Sequence, residues 1–285
     1  VYPVLVDFGR FKLHSYGLMM FFAFVLGIWI AHQRGKRSGL AENTVLDLST
    51  LIIIFGLIGG RLLYVLTHLE EFRGRWLDII NPFQSDGRVG FAGLVLLGGV
   101  VLGFVAVVVY IRRKRQDLLT VLDVFAPPLA LGIGIGRLGC YLNGCCFGLP
   151  TTLPWGVVFP RGSSAGYIFP GQHIHPTQLY EFLYGAALFL LLLWAEKQFR
   201  TFKGFTWSIF LIGYGLLRFL NELIRWHESG LHLIDFAGGG FLTVSQAISL
   251  AMLAAGSILF IFLRRRELGS GGTHAGGNVQ AGSMQ

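Results

Sequence analysis

Long apolar runs separated by short charged segments set the pattern of this chain. Seven runs read as helices: Gly17–His32, Leu48–Leu66, Val89–Ile111, Leu122–Asn143, Leu179–Trp194, Gly204–Leu223 and Leu242–Leu263. Each is near the roughly 20 residues that cross the hydrocarbon of a bilayer. The pattern therefore predicts an all-α polytopic membrane protein of about seven transmembrane helices. Residues 1–267 read as one bundle, and the Gly-rich stretch 268–285 as a disordered tail. The fourth run contains Pro127-Pro128 and many glycines. That composition predicts a kinked or broken helix, which a membrane tolerates only where protein or a cavity covers the backbone.

Composition strengthens this reading. Only 13% of the 285 residues are charged, about half the share of a soluble domain. The net charge of +8 does not indicate nucleic acid, because the basic residues form short clusters beside the apolar runs. Such clusters act as orientation signals and headgroup contacts. No small-residue cleavage site follows the first run, so no cleavable signal peptide is expected. Thirteen of the 23 lysines and arginines fall on one set of loops and seven on the other. The positive-inside rule then puts the N-terminus outside and the C-terminus in the cytoplasm.

This orientation gathers the unusual polar residues at one depth. His14 and Tyr16 precede the first run, and Arg61 is near the outer end of the second. Arg137 and Asn143 are near the outer end of the fourth. His175, Gln178, Tyr180 and Glu181 open the fifth, and Arg218 and Glu222 end the sixth. A purely structural bundle has no reason to place them all in the outer half of the membrane.

The stretch from Gly132 to Gly148 places one arginine, Arg137, in a Gly-rich, nearly charge-free segment. A cation at bilayer depth costs several kcal/mol without a partner and marks a functional site by default. An anion such as a lipid phosphate would answer it. No carboxylate lies within one helical turn of Arg137, so Asp123 and Glu181 are its possible protein partners. Tyr214, Arg218, Glu222 and Arg225 share one helical face. They read either as a structural Arg218–Glu222 pair with Arg225 snorkelling to water, or as Glu222 orienting Arg218 toward phosphate. The planar guanidinium fork suits phosphate oxygens.

Arg61 reads equally as an interface anchor. Tyr16 is of a type common in interfacial belts, and His14 is a possible proton acceptor. Pro176 suits a helix start, since its missing N–H is not needed there; Gln178 and Glu181 then face the same way. Cys140, Cys145 and Cys146 lie within seven positions. Their odd number argues against a disulfide framework. They form no CxxC pair and read as small buried residues, with no metal site implied. HExxH, Walker and HxxxxD motifs are absent from the sequence, and so is any lysine in the seventh run.

Taken together, the residues resemble the prolipoprotein diacylglyceryl transferase family. The likeness rests on His14-Ser15-Tyr16-Gly17-Leu18-Met19, on Gly136-Arg137-Leu138-Gly139 with Asn143-Gly144, on His175-Pro176-Thr177-Gln178-Leu179-Tyr180-Glu181, and on Gly213-Tyr214-Gly215-Leu216-Leu217-Arg218 with Glu222. It runs from about His14 to Arg225. The resemblance implies transfer of the diacylglyceryl group of phosphatidylglycerol to the thiol of a lipobox cysteine in a prolipoprotein, with release of glycerol phosphate. It implies a bacterial inner-membrane location, a site facing the periplasmic leaflet, membrane lipids as surroundings, and no metal or soluble cofactor.

By the same resemblance Arg137 and Arg218 hold the phosphate. Arg137, Arg218, His14, Tyr16 and Glu222 are expected in catalysis, and Arg137, Arg218, Asn143, Gln178, Tyr180, Glu181, Tyr214 and Arg61 in substrate binding. The incoming peptide brings the thiol, so the three cysteines are not expected as nucleophiles. The chain departs from the family pattern at Cys140 and Cys145, where many members carry Asn and Glu. It also has Leu97 where a histidine has been proposed as the base. Leucine takes no proton, so the base would be His14, Tyr16, water or a thiol already ionised. A phospholipid phosphatase or headgroup transferase would need a nucleophile motif that is not evident, and a phospholipid transporter would be favoured by inverted repeats, of which none is convincing.

Overall fold

A computed structural model describes residues 1–7, 12–74, 76–79, 95–227, 232–235 and 241–271. The start of the third run (89–94), Arg10, Arg75 and Arg88 of the charge count, and tail residues 272–285 lie outside the described residues.

Each of the seven apolar runs is mostly helical where it is described: α1 (Ser15–Arg37), α2 (Thr44–Thr67), α3 (Leu96–Lys114), α4 (Leu118–Asn143), α6 (Thr177–Phe199), α7 (Phe205–Leu223) and α8 (Val244–Gly271), with Leu242 and Thr243 of the last run in a strand instead. A five-residue α5 (Ser164–Ile168) lies between α4 and α6. Several helices outrun their apolar cores. Arg34, Lys36 and Arg37 occupy the last turn of α1, and Arg112, Arg113 and Lys114 that of α3. Cations there meet the negative end of the helix dipole. At the far end, α8 continues through Gly271, a few residues past the expected start of the tail at residue 268. Two small antiparallel hairpins add strand to the helical fold: β1 (Val4–Asp7) with β2 (Lys12–His14), and β3 (His232–Asp235) with β4 (Phe241–Thr243). Helices α1, α2, α4, α6 and α8 are long and apolar enough to cross a membrane. The chain is a multi-pass membrane protein.

The chain divides into two compact units, residues 32–118 and residues 1–31 with 119–285. In the first of these, α2 and α3 touch backbone to backbone at Gly59 and Gly98, where a side chain on either would strike the other's carbonyl. Arg61 is buried in this unit. Its Nε donates to the Ile79 carbonyl (3.1 Å), and its guanidinium lies over the rings of Phe72 and Tyr64, at 5.1 and 5.7 Å from their centroids. Leu97, in the first turn of α3, is 65% exposed.

In the larger unit, α4 is the most enclosed of the five span-length helices. It runs unbroken through Pro127 and Pro128, so the prolines do not break it. Both prolines are buried, so the carbonyls their rings leave without N–H donors are kept away from lipid, as the sequence argument requires. Helix α6 crosses α4 closely: a Cβ on Gly185 would sit 2.9 Å from the Ala130 carbonyl oxygen. Ala126, Ala130, Leu188, Leu192 and Phe210 make the core of this packing. Near the start of α4, the Asp123 carboxylate accepts the backbone N–H groups of Gly204 (2.8 Å) and Trp207 (3.0 Å). It thus caps the N-terminus of α7 from a neighbouring helix, where negative charge opposes the dipole.

Candidate active site

At the other end of α4, side chains from three helices meet on one carboxylate. The Arg137 Nε lies 3.0 Å from Glu181 Oε2, and the Arg218 Nη1 lies 3.4 Å from the same oxygen. The Tyr214 hydroxyl donates to the other oxygen of Glu181 (3.0 Å). Of the two carboxylates raised as partners for Arg137, then, Glu181 fills the role, and Asp123 serves α7 instead. A second carboxylate, Glu222, holds Arg218 Nη2 at 2.7 Å one helical turn away. It also meets Arg225 Nη1 (3.4 Å), His227 Nε2 (2.7 Å) and the Thr243 hydroxyl (3.4 Å). Arg218 further donates to Ser245 Oγ (3.4 Å).

The charges in this cluster do not balance. Three guanidinium cations face two carboxylates. Glu181 and Glu222 are almost fully buried, while the Arg137 side chain keeps 22% of its surface exposed. Among the described residues only Nε of Arg137 is engaged. Its two terminal nitrogens, the edge suited to bidentate recognition of phosphate, remain available.

Beyond Arg137 the helix ends in a specific turn. The Cys145 N–H reaches back to the Cys140 carbonyl (3.1 Å) and the Gly144 N–H to that of Tyr141 (3.1 Å). Gly144 sits at φ +72°, the left-handed conformation this C-cap requires and glycine supplies without cost. Such a turn brings the residue after the glycine against the residue five positions earlier. Here those residues are Cys145 and Cys140. Cys146 follows at φ +60°, an uncommon conformation for a residue with a Cβ. The three sulfurs lie within 4.8 Å of one another. Spacing along the sequence pointed to no metal site; the C-cap brings the thiols together nonetheless. Hydrogen bonds with the Cys140 and Cys145 thiols hold the Cys146 thiol well below its ordinary value, with the charges of Arg225 and Arg137 adding to the effect against burial.

Helix α6 pins this segment. Gln178 Nε2 donates to the Cys145 carbonyl (2.6 Å), and the Thr177 hydroxyl donates to that of Cys146 (3.0 Å). Asn143 lies close enough to the Cys145 thiol to influence it. The loop then folds over the helix ends as a cap with its own core of Phe147, Phe159, Ala165 and Ile174, against which Trp226 packs. A cavity of about 410 Å³ opens beside the cluster, lined in part by Cys145, Cys146, Glu222, Arg225, Trp226 and His227.

The candidate residues separate by what they touch. Arg137, Glu181, Tyr214, Arg218 and Glu222 form one connected network. Asn143 and Gln178 touch the cysteine segment, and the Tyr180 hydroxyl accepts from Trp155 Nε1 (2.8 Å) beside His175 (3.2 Å). Tyr16 packs at Gly139, within electrostatic reach of Arg137 and the thiols. His14 is an exposed residue at the end of β2, and no hydrogen bond or ion pair joins it to the cluster among the described residues. Arg61 belongs to the other unit.

A family model for prolipoprotein diacylglyceryl transferase matches residues 3–262. The chain belongs to this family. Relatives named phosphatidylglycerol–prolipoprotein diacylglyceryl transferase include those of Clostridium tetani and Bordetella avium. The first is 33% identical over 93% of this chain and 99% of its own length. The second is 37% identical over 93% of this chain and 96% of its own length. That of Aliivibrio fischeri is 35% identical, covering 93% of this chain and 91% of its own length.

Sequence reasoning missed His227, Thr243 and Ser245 as parts of the network. Each lies outside the α7 face that carries Arg218 and Glu222, so helical periodicity could not join them to it. The one available signal for His227 was its position two residues after Arg225.

Proposed function

We propose that this chain transfers the diacylglyceryl group of phosphatidylglycerol to the lipobox cysteine thiol of a prolipoprotein, the reaction for which its family is named. The observation that carries the mechanism is the uncompensated guanidinium charge around Glu181 and Glu222. The lipid phosphate is held on the open edge of Arg137 and beside Arg218. Glu181 and Glu222 position the two cations, and Tyr214 steadies Glu181. Sulfur attacks the glyceryl carbon, the S–C bond forms, and the C–O bond breaks. Glycerol phosphate leaves with the electron pair. Charge builds on the departing phosphate oxygen, where fixed cations in a site of low dielectric stabilise it far better than water does. The protein supplies no nucleophile. Tyr16 and His14 are the candidate proton acceptors, Leu97 being unable to serve. Asn143, Gln178 and Tyr180 shape the site's rim, and Arg61, in the unit of residues 32–118, is kept as a substrate-binding candidate.

The enzyme resides in the bacterial inner membrane with its site toward the outer leaflet, a reading supported by the basic asymmetry of the loops. Single cysteines placed after Trp155 and after Arg112 test it: an impermeant thiol reagent applied from outside should label the first and not the second, and the reverse pattern would invert the protein. The reaction is tested by reconstituting the full chain with labelled phosphatidylglycerol and a lipobox peptide. Thioether-linked lipid is the expected product. Free phosphate or diacylglycerol would make it a hydrolase, and relocated but unchanged lipid a transporter.

A further inference from the structure

The geometry points to a zinc site made by Cys140, Cys145 and Cys146, with its fourth position open toward the cavity for the precursor's thiol. Three observations on the structure carry it. The sulfurs already lie within 4.8 Å of one another, and no other His, Cys, Asp or Glu group among the described residues has this arrangement. Tetrahedral zinc, at about 2.3 Å from each thiolate, needs sulfurs roughly 3.8 Å apart, which small side-chain rotations would reach. The backbone bearing them is fixed, by the C-cap hydrogen bonds and by Thr177 and Gln178 from α6. Finally, Cys145 and Cys146 line the cavity while Cys140 is buried beneath them, so a bound ion would be closed on one side and accessible on the other. Catalytic zinc sites leave one position open in this way, whereas structural sites are closed by four protein ligands.

The charge and the chemistry agree. The three sulfurs bind Zn²⁺ as thiolates, the protons still held by the thiols pass to solvent, and a zinc tris-thiolate of charge −1 results. Arg137 and Arg225 lie within electrostatic reach of Cys146 to offset that charge. Soft thiolates select ions such as zinc over hard cations. The second half of the inference rests on the transferase reading. An incoming thiol that coordinates the ion loses its proton to water in the cavity, which removes the need for a strong side-chain base in a chain that carries Leu97. The coordinated sulfur then uses a lone pair to form the S–C bond. The C–O electron pair departs with glycerol phosphate, and the neutral thioether, a weak ligand, leaves the ion.

The full chain, purified in detergent under reducing conditions, is loaded with zinc, dialysed against metal-free buffer, and its metal counted. About one zinc per chain is expected. Loading with Co²⁺ should give thiolate-to-cobalt charge-transfer absorption and the intense visible bands of a tetrahedral ion. Cys145→Ser and Cys146→Ser should each weaken zinc binding more than about a hundredfold, while Cys145→His should keep the ion and shift the cobalt spectrum. Absence of zinc from the wild type, equal zinc in a triple serine variant, or preferential retention of copper(I) would each overturn the assignment. Adding a lipobox peptide should change the cobalt spectrum, and its serine counterpart should not. Metal bound with an unchanged spectrum would overturn the open position. Metal content and spectra are read without turnover, so a failed transferase reading and a failed zinc site give different results.

Discussion

Helix α4 carries a buried acid–base cluster toward each end, and the two are built to opposite purposes. Asp123 and Arg137 lie 14 residues apart on it, or about 21 Å along the axis. At the first, a carboxylate accepts two backbone N–H groups of α7, with Arg200 at 3.7 Å. Acceptors meet donors, and nothing is asked of a ligand. At the second, three guanidinium groups share two carboxylates, and the terminal nitrogens of the partly exposed Arg137 are unengaged among the described residues. The same residue types make a helix cap in one place and an anion cradle in the other. What separates them is whether the protein itself completes the charge balance.

Breaking the cradle should have the largest effect. Arg137→Ala and Arg218→Ala should each lower transfer by at least about 100-fold, or about 3 kcal/mol, the scale of one lost electrostatic contact in a dry site. Lysine at either position should restore activity only in part, because it lacks the fork. Turnover of the reconstituted variants measures this, and near-normal rates in a well-folded alanine variant would end the clamp mechanism.

Glu222 sharpens the contrast at an intermediate scale. It binds Arg218, Arg225 and His227 at once. Glu222→Ala should reduce transfer on the order of tenfold, and Glu222→Gln less, since the amide keeps an acceptor oxygen while losing charge. Wild-type rates in both would reduce the pair to scaffolding.

The smallest effect on catalysis is expected at the closed end. Asp123→Asn keeps one acceptor and loses the charge at the α7 N-terminus, so it should lower stability by about 1–2 kcal/mol. Thermal unfolding in detergent should show the loss, with transfer per folded molecule unchanged. A large fall in turnover would mean that the two ends are coupled.

How far the sequence foretold this contrast depends on the kind of contact. Apolar periodicity located all seven long helices, and spacing on one helix paired Arg218 with Glu222. The Arg137 partner remained open between Asp123 and Glu181, because a contact between helices depends on how they cross. Gly134 and Gly185 set that crossing. The convergence of the cysteines was hidden for a different reason. It arises from a left-handed C-cap at Gly144, which folds position 145 back onto 140. The two prolines of α4 do not break the helix, since local propensity yields to burial by neighbouring helices. His227 joins the site from beyond the end of α7, where helical phase no longer applies.

The uncompensated positive charge at the Arg137 end is the central claim, and phosphatidylglycerol binding tests it most directly. Equilibrium binding to the detergent-solubilised full chain can be compared for wild type, Arg137→Gln, Arg218→Gln and Arg200→Gln. The first two variants should bind at least about tenfold more weakly, the scale of one lost charge-assisted hydrogen bond. Arg200→Gln, at the closed end, should bind as wild type does. Equal affinity across all four proteins would contradict the account.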